Sequence, residues 1–370
     1  MSKTEENVIM NGKTGKKVIA AYSILAIIAM FSACSKTNSS STTTPTDSKN
    51  STQSNSSSSI DSASIDSASI DINSADTTSN KDTTDAVDST ETPPLADVLS
   101  EVQSKFIQAT YEDSETGVTL PYNLFVPKNY DASQEYPMIT FIHDDSIVGK
   151  DVTVGLTQGY GGVIWATETE QAKHESFVLV PVFQSSVVAG GAGQTGSEVD
   201  EDQLNTYLHL LQSIQDQYSI DANRLYVTGQ SMGCMTSFYL NGHYPDLFAA
   251  TLYVSGQWDV SQLAAISSQK FFYITAGGDG TASGGQTDVE AMLTEAGVAY
   301  STATWDATWT TAEKNAAAGE EIAHNTNANF ATWETGTVMT TSNERSEHRA
   351  SFNYGYTIPA VRDWIFAQSK

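Results

Sequence analysis

From residue 100 to the C-terminus, seven continuous apolar runs alternate with stretches of helical periodicity, and no other feature restricts the possible folds so strongly. The runs are Val118–Val126, Met138–His143, Phe177–Phe183, Arg224–Thr228, Ala250–Val254, Lys270–Thr275 and Tyr300–Trp305. They are rich in Val, Ile, Phe, Tyr and Thr, and several are apolar on both faces, which suits strands covered by helices on each side. Between them, Leu204, Tyr207, Leu208, Leu211 and Ile214 fall at spacings of three and four, so one helical stripe faces the sheet. Further helices are expected after Ser231, from about Val289 to Ala296, and from Ile358-Pro359, with Val361, Trp364 and Ile365 inward and the proline in a tolerated first-turn position. This alternation implies an α/β fold with a mostly parallel central sheet and helices on both faces. Ala307–Glu347 is polar and rich in Thr, Asn and Ala; it breaks the pattern and reads as an insertion over one end of the sheet.

The first hundred residues have a different composition. Lys13, Lys16 and Lys17 precede a mostly apolar run from Val18 to Met30, and Phe31-Ser32-Ala33-Cys34 follows. A positive stretch, a short hydrophobic segment and small residues before a cysteine describe a secretory signal over residues 1–33. The run is short for a bilayer-spanning helix, which needs about 20 apolar residues. Phe31–Cys34 resembles the lipobox of bacterial lipoproteins, which implies a lipid anchor on Cys34 and an extracytoplasmic, membrane-anchored location. An uncleaved signal anchor is the other reading, and it places the remainder on the same side. Residues 34–99 read as a disordered tether: 30 of the 58 residues from Ser35 to Thr92 are Ser or Thr. Such a segment buries too little apolar surface to offset the entropy of ordering it. Residues 100–370 carry 11 Lys/Arg and 32 Asp/Glu, a net charge of −21. That surface disfavours nucleic acid and other polyanions as partners.

Within the α/β region, the run Leu225-Tyr226-Val227-Thr228 leads directly into Gly229-Gln230-Ser231-Met232-Gly233, and a helix-compatible stretch follows. This is the arrangement of a nucleophile elbow: a serine on a strained strand-to-helix turn, with small residues two before and two after it to avoid collision. The backbone N–H of Met232, at the helix N-terminus, is placed to stabilise an oxyanion. A serine nucleophile needs a base, and the chain order Ser, Asp, His of α/β-hydrolases directs the search downstream. Three histidines follow Ser231. His243 should point away on the nucleophile's own helix. His348, shortly before the terminal helix, is the preferred base, and His324 is its rival. For the acid, the run ending Ala276-Gly277-Gly278-Asp279 offers Asp279, with Asp259 and Asp288 as alternatives. His143 ends another run, and a backbone N–H of Asp144 or Asp145 just beyond it could be the second oxyanion donor.

Tyr122–Tyr130 (YNLFVPKNY), Tyr136-Pro137 and a strand ending in histidine resemble the start of bacterial esterase and predicted-peptidase domains of the α/β-hydrolase superfamily. These are relatives of feruloyl and acetyl-xylan esterases and of polyhydroxybutyrate depolymerases. Ile220–Gly233, Tyr244–Ala250 and Trp364–Gln368 are similar to the nucleophile region and terminal helix of that family. The resemblance covers roughly residues 105–306 and 345–370, and carries Ser231, Asp279 and His348 over as a triad. It departs from the family at three places: Asp144-Asp145 where glycine usually follows the histidine, Cys234 where a second glycine is common, and Thr275-Ala276 ahead of the acid.

His143 with Asp144 and Asp145 lacks a second cluster at ligand spacing, so no metal is implied. Gly190, Gly191 and Gly193 lack the strand-to-helix context of a nucleotide loop, so no cofactor is implied. Trp258 either packs or lines an acyl pocket. The expected activity is an extracytoplasmic serine hydrolase acting on carboxylic esters, aromatic or polysaccharide-linked. A peptidase with the same triad, or an inactive surface protein that binds through the fold, would share most of these features.

Overall fold

The computed structural model describes residues 91–189 and 197–370. The expected signal, most of the expected tether, Cys34, and Gly190, Gly191 and Gly193 lie outside the described residues.

The folded unit begins before residue 100. Helix α1 (Leu95–Val102) buries Val98 and Val102, and Thr92 Oγ1 donates to the Thr357 carbonyl at 3.0 Å. The last residues assigned to the tether therefore belong to the domain, since two valines one helical turn apart supply an apolar contact that a Ser/Thr count overlooks.

Nine strands form one sheet: β1 (Ile107–Glu112), β2 (Thr119–Phe125), β3 (Tyr136–Ile142), β4 (Phe177–Pro181), β5 (Ile220–Gln230), β6 (Ala250–Val254), β7 (Phe271–Ala276), β8 (Tyr300–Trp305) and β9 (Ala328–Trp333). Their order is β1-β2-β4-β3-β5-β6-β7-β9-β8. β1 and β2 pair antiparallel, as do β2 and β4, and every other pair is parallel. Between the strands run α2 (Glu168–Lys173), α3 (Glu201–Gln217), α4 (Met232–His243), α5 (Gly280–Glu295) and α6 (Thr311–Ile322), and α7 (Pro359–Phe366) follows β9. β3, β4, β6 and β7 are buried along their whole length, so the core has two layers, one on each face of the sheet. Leu204, Tyr207, Leu211 and Ile214 of α3 pack into one layer; Val361 and Ile365 of α7 pack into the other.

The segment Ala307–Glu347 is not an insertion over the end of the sheet. It contains α6 and β9, and β9 lies inside the sheet between β7 and β8. β9 escapes a search for apolar runs because its interior includes Asn329, which is fully buried. That side chain is satisfied locally: Ser301 Oγ donates to Asn329 Oδ1 at 2.9 Å, and Asn329 Nδ2 donates to the Phe271 carbonyl at 3.2 Å. A buried polar group with its hydrogen bonds made costs little. The placement matters for the site. Because β9 returns to lie parallel beside β7, the chain leaving β9 emerges next to the chain leaving β7.

Candidate active site

β5 ends at Gln230, α4 begins at Met232, and Ser231 is the single residue between them, with φ 50° and ψ −114°. A non-glycine residue in this region carries strain of about 1–3 kcal/mol, a cost that recurs at functional turns. The flanking glycines are required by space. A Cβ on Gly229 would fall 2.4 Å from the backbone carbon of Gly233, and one on Gly233 would fall 1.9 Å from the Ile142 carbonyl oxygen. The elbow is thus wedged against the end of β3, and its own N–H is fixed by a 3.1 Å bond from Ser231 N to the Val254 carbonyl. Cys234 is fully buried, and burial pushes its thiol pKa well up, so it stays a protonated packing group.

His348 joins the serine to a carboxylate. Its Nε2 lies 2.9 Å from Ser231 Oγ and its Nδ1 lies 2.6 Å from Asp279 Oδ2. An ionised carboxylate only accepts, so the Nδ1–H donates to Asp279 and the Nε2 lone pair faces the serine hydroxyl. Asp279 caps α5 through a 3.4 Å bond from Ala282 N to its Oδ1, where the helix N-terminus favours negative charge. The histidine backbone is held too. Ser351 Oγ donates to the His348 carbonyl at 2.9 Å, and Ser255 Oγ lies 2.7 Å from Ser351 Oγ, donating to it. The imidazole also packs against Phe352 in a T-shaped pair, with ring centroids 5.0 Å apart. Sequence reasoning missed Ser255 and Ser351, since nothing local announces a pairing of two serines 96 residues apart.

The loop after β3 is braced by a neutral histidine. The N–H of Phe183 donates to His143 Nε2 at 3.0 Å, so the ring proton sits on Nδ1 and is donated to the Asp144 carbonyl at 2.7 Å. Burial lowers the His143 pKa, which keeps the ring uncharged. The Asp144 side chain is 5% exposed and accepts from Ser146 N at 2.8 Å, from Gln230 Nε2 at 3.0 Å and from the Gln158 amide. Gln230 is the residue before Ser231, so Asp144 ties this loop to the elbow. A cavity of about 180 Å³ opens here, lined by Asp144, Gln158, Gln230, Arg349 and Phe352 among others. It therefore borders the neighbours of both Ser231 and His348.

The remaining candidates fall elsewhere. His324 is exposed at the turn between α6 and β9, at the end of the sheet where the parallel strands begin; Ser231 stands where they end. His243 stacks on Tyr239, Asp259 caps the short turn Val260–Gln262, and Asp288 is exposed on α5. Trp258 is buried in a T-shaped pair with Tyr239, and so packs. Among the described residues, Glu170, His174 and Asp363 come close enough to share a metal. Their carboxylates already have cations: Arg362 lies 2.8 Å from Glu170 and Lys173 3.4 Å from Asp363.

A nearly all-parallel sheet with a strained serine at the end of β5, an acid after β7 and a histidine after the returning strand defines an α/β-hydrolase. The model of the family described as "Putative esterase" matches residues 114–348, a span that includes Ser231, Asp279 and His348. The chain belongs to that family. It is 23% identical over 169 residues to acetylxylan esterase A of Aspergillus ficuum, covering 44% of this chain and 50% of that protein. A thermostable esterase of known crystal structure superposes with a TM-score of 0.60 at 24% identity, over 73% of this chain and 64% of that one, and shares the fold. The chain thus spans about half the length of the curated relative it matches.

Proposed function

We propose that the protein is a serine hydrolase of carboxylic esters, with Ser231, His348 and Asp279 as its triad. The observation that carries this reading is the pair of bonds from one imidazole, 2.9 Å to the serine oxygen and 2.6 Å to a carboxylate. As Ser231 Oγ attacks the ester carbonyl, His348 Nε2 takes its proton, while Asp279 holds the ring in the required tautomer and stabilises the imidazolium. The oxyanion is received by the N–H groups of Met232 and Asp144. Met232 opens α4, so its N–H is a first-turn donor without an intrahelical acceptor. Asp144 lies beside the elbow, with its carboxylate occupied by Ser146, Gln158 and Gln230. The intermediate collapses as His348 returns the proton to the departing alcohol, leaving an acyl-Ser231. Water, deprotonated by the same imidazole, then attacks the acyl carbon, and His348 returns that proton to Ser231 Oγ as the acid departs.

The acetylxylan esterase among its relatives favours an acyl group carried on a polysaccharide, and the polar cavity beside the triad suits a hydroxyl-rich alcohol. The same relay could serve a peptidase, so the test compares an acetyl or feruloyl ester with the amide of the same acid. The expected result is hydrolysis of the ester and none of the amide. Amide cleavage at a comparable kcat/KM would make the protein a peptidase, and an inert protein would leave it a binder. Export and lipid anchoring through Cys34 rest on the sequence of residues 13–34 and complete the proposal. Cys34→Ser should abolish labelled-palmitate incorporation in cells, and unchanged incorporation would remove the anchor.

A further inference from the structure

Glu347 stands one residue before His348 and opens the helical turn Glu347–Ala350. Its two oxygens accept from two different loops. Oε2 takes the N–H of Gly278 at 2.9 Å, and Oε1 takes the N–H of Gly336 at 2.9 Å. Gly278 immediately precedes Asp279, and Gly336 lies three residues beyond β9. One carboxylate therefore spans the acid loop, the chain leaving the neighbouring strand and the turn that carries the imidazole.

The packing is specific to this arrangement. A Cβ on Gly278 would sit 2.2–2.5 Å from the Glu347 carboxylate atoms, although Gly278 is not among the residues with positive φ. A side chain at this position would have to displace the carboxylate, although the backbone conformation would accept one. The adjacent Gly277 is equally confined: a Cβ there would fall 2.7 Å from Thr335 Oγ1, and its N–H donates to the Trp333 carbonyl at 2.8 Å.

We infer that Glu347 is a positioning residue for the relay: by clamping Gly278 and Gly336 it sets the distance between His348 and Asp279. This inference rests on the hydrolase reading above. An anionic acceptor shared by two backbone N–H groups makes short, directional bonds. A relay whose rate falls about 100-fold for a 1 Å misplacement needs such a clamp where its members come from separate loops.

The test measures the rate at which a fluorophosphonate probe labels Ser231, together with kcat and KM on an activated ester, in the full chain. Glu347→Ala should slow both labelling and kcat by about 10- to 100-fold with KM changed less than about twofold, because alignment is lost and substrate contacts are not. Glu347→Gln keeps one carbonyl oxygen for two N–H groups and should fall between Glu347→Ala and wild type. Gly278→Ala should reproduce the loss, since its methyl occupies the carboxylate's place without backbone strain. Melting temperature and circular dichroism establish that each variant is folded. Wild-type labelling rates in folded Glu347→Ala and Gly278→Ala would overturn the inference. If Glu347→Ala does not fold, a wild-type rate in Glu347→Gln does so. A wild-type protein that takes no label at all would overturn the hydrolase reading itself, and this inference with it.

Discussion

Ser231→Ala is expected to lower ester turnover by about 10⁴-fold or more, with KM and thermal stability nearly unchanged. The substitution removes only the attacking oxygen. The φ of 50° is as strained for alanine as for serine, and the N–H bond to the Val254 carbonyl survives. The folded state thus loses little beyond one hydrogen bond to His348. A 10⁴-fold loss is about 5.5 kcal/mol of transition-state stabilisation, far more than a single neutral hydrogen bond contributes to folding. Steady-state kinetics on an activated ester, with melting temperatures of both proteins, check both halves of this expectation. A variant that keeps more than a few per cent of wild-type turnover would place the nucleophile elsewhere.

His348→Ala should be nearly as damaging, and His324→Ala should keep most of the wild-type turnover. His348 reaches Ser231 and Asp279 at 2.9 and 2.6 Å and is anchored through its carbonyl, so its removal deprives the hydroxyl of a proton acceptor. Loss of one member of such a unit costs about as much as loss of all, so the double variant Ser231→Ala/His348→Ala should be scarcely worse than either single change. His324 is exposed at the opposite end of the parallel strands, where no loop can bring it to the elbow. The two variants assayed side by side check this, and the reverse ranking would move the base to the turn between α6 and β9.

How much of this was legible beforehand depended on whether the stabilising interactions were local and apolar. Ala250–Val254 and Tyr300–Trp305 are read correctly to the residue, because a continuous apolar or β-branched run is itself the signal. The elbow is legible for a similar reason, since its strand, turn and helix are contiguous. Edge strand β1 was missed because it is no continuous apolar run: Ile107, Ala109 and Tyr111 alternate with Gln108, Thr110 and Glu112, and most of the strand is exposed. β9 was hidden by Asn329, and with β9 went the reason that His348 arrives beside Asp279. The order of Ser, Asp and His admits both His324 and His348, and the place of His348 shortly before the terminal helix was what favoured it. The clamp at Glu347 was out of reach: it joins residues 69 apart through backbone N–H groups, which leave no trace in side-chain pattern. Polar contacts between distant loops are the part of such a site that only coordinates reveal.

Tryptic mass mapping of the protein after reaction with a fluorophosphonate tests the assignment of Ser231 most directly. The expected outcome is a single adduct on the peptide containing Ser231, absent in His348→Ala under the same conditions, because only a serine with an aligned base attacks the phosphorus. An unlabelled wild-type protein, or an adduct on another serine, would contradict it.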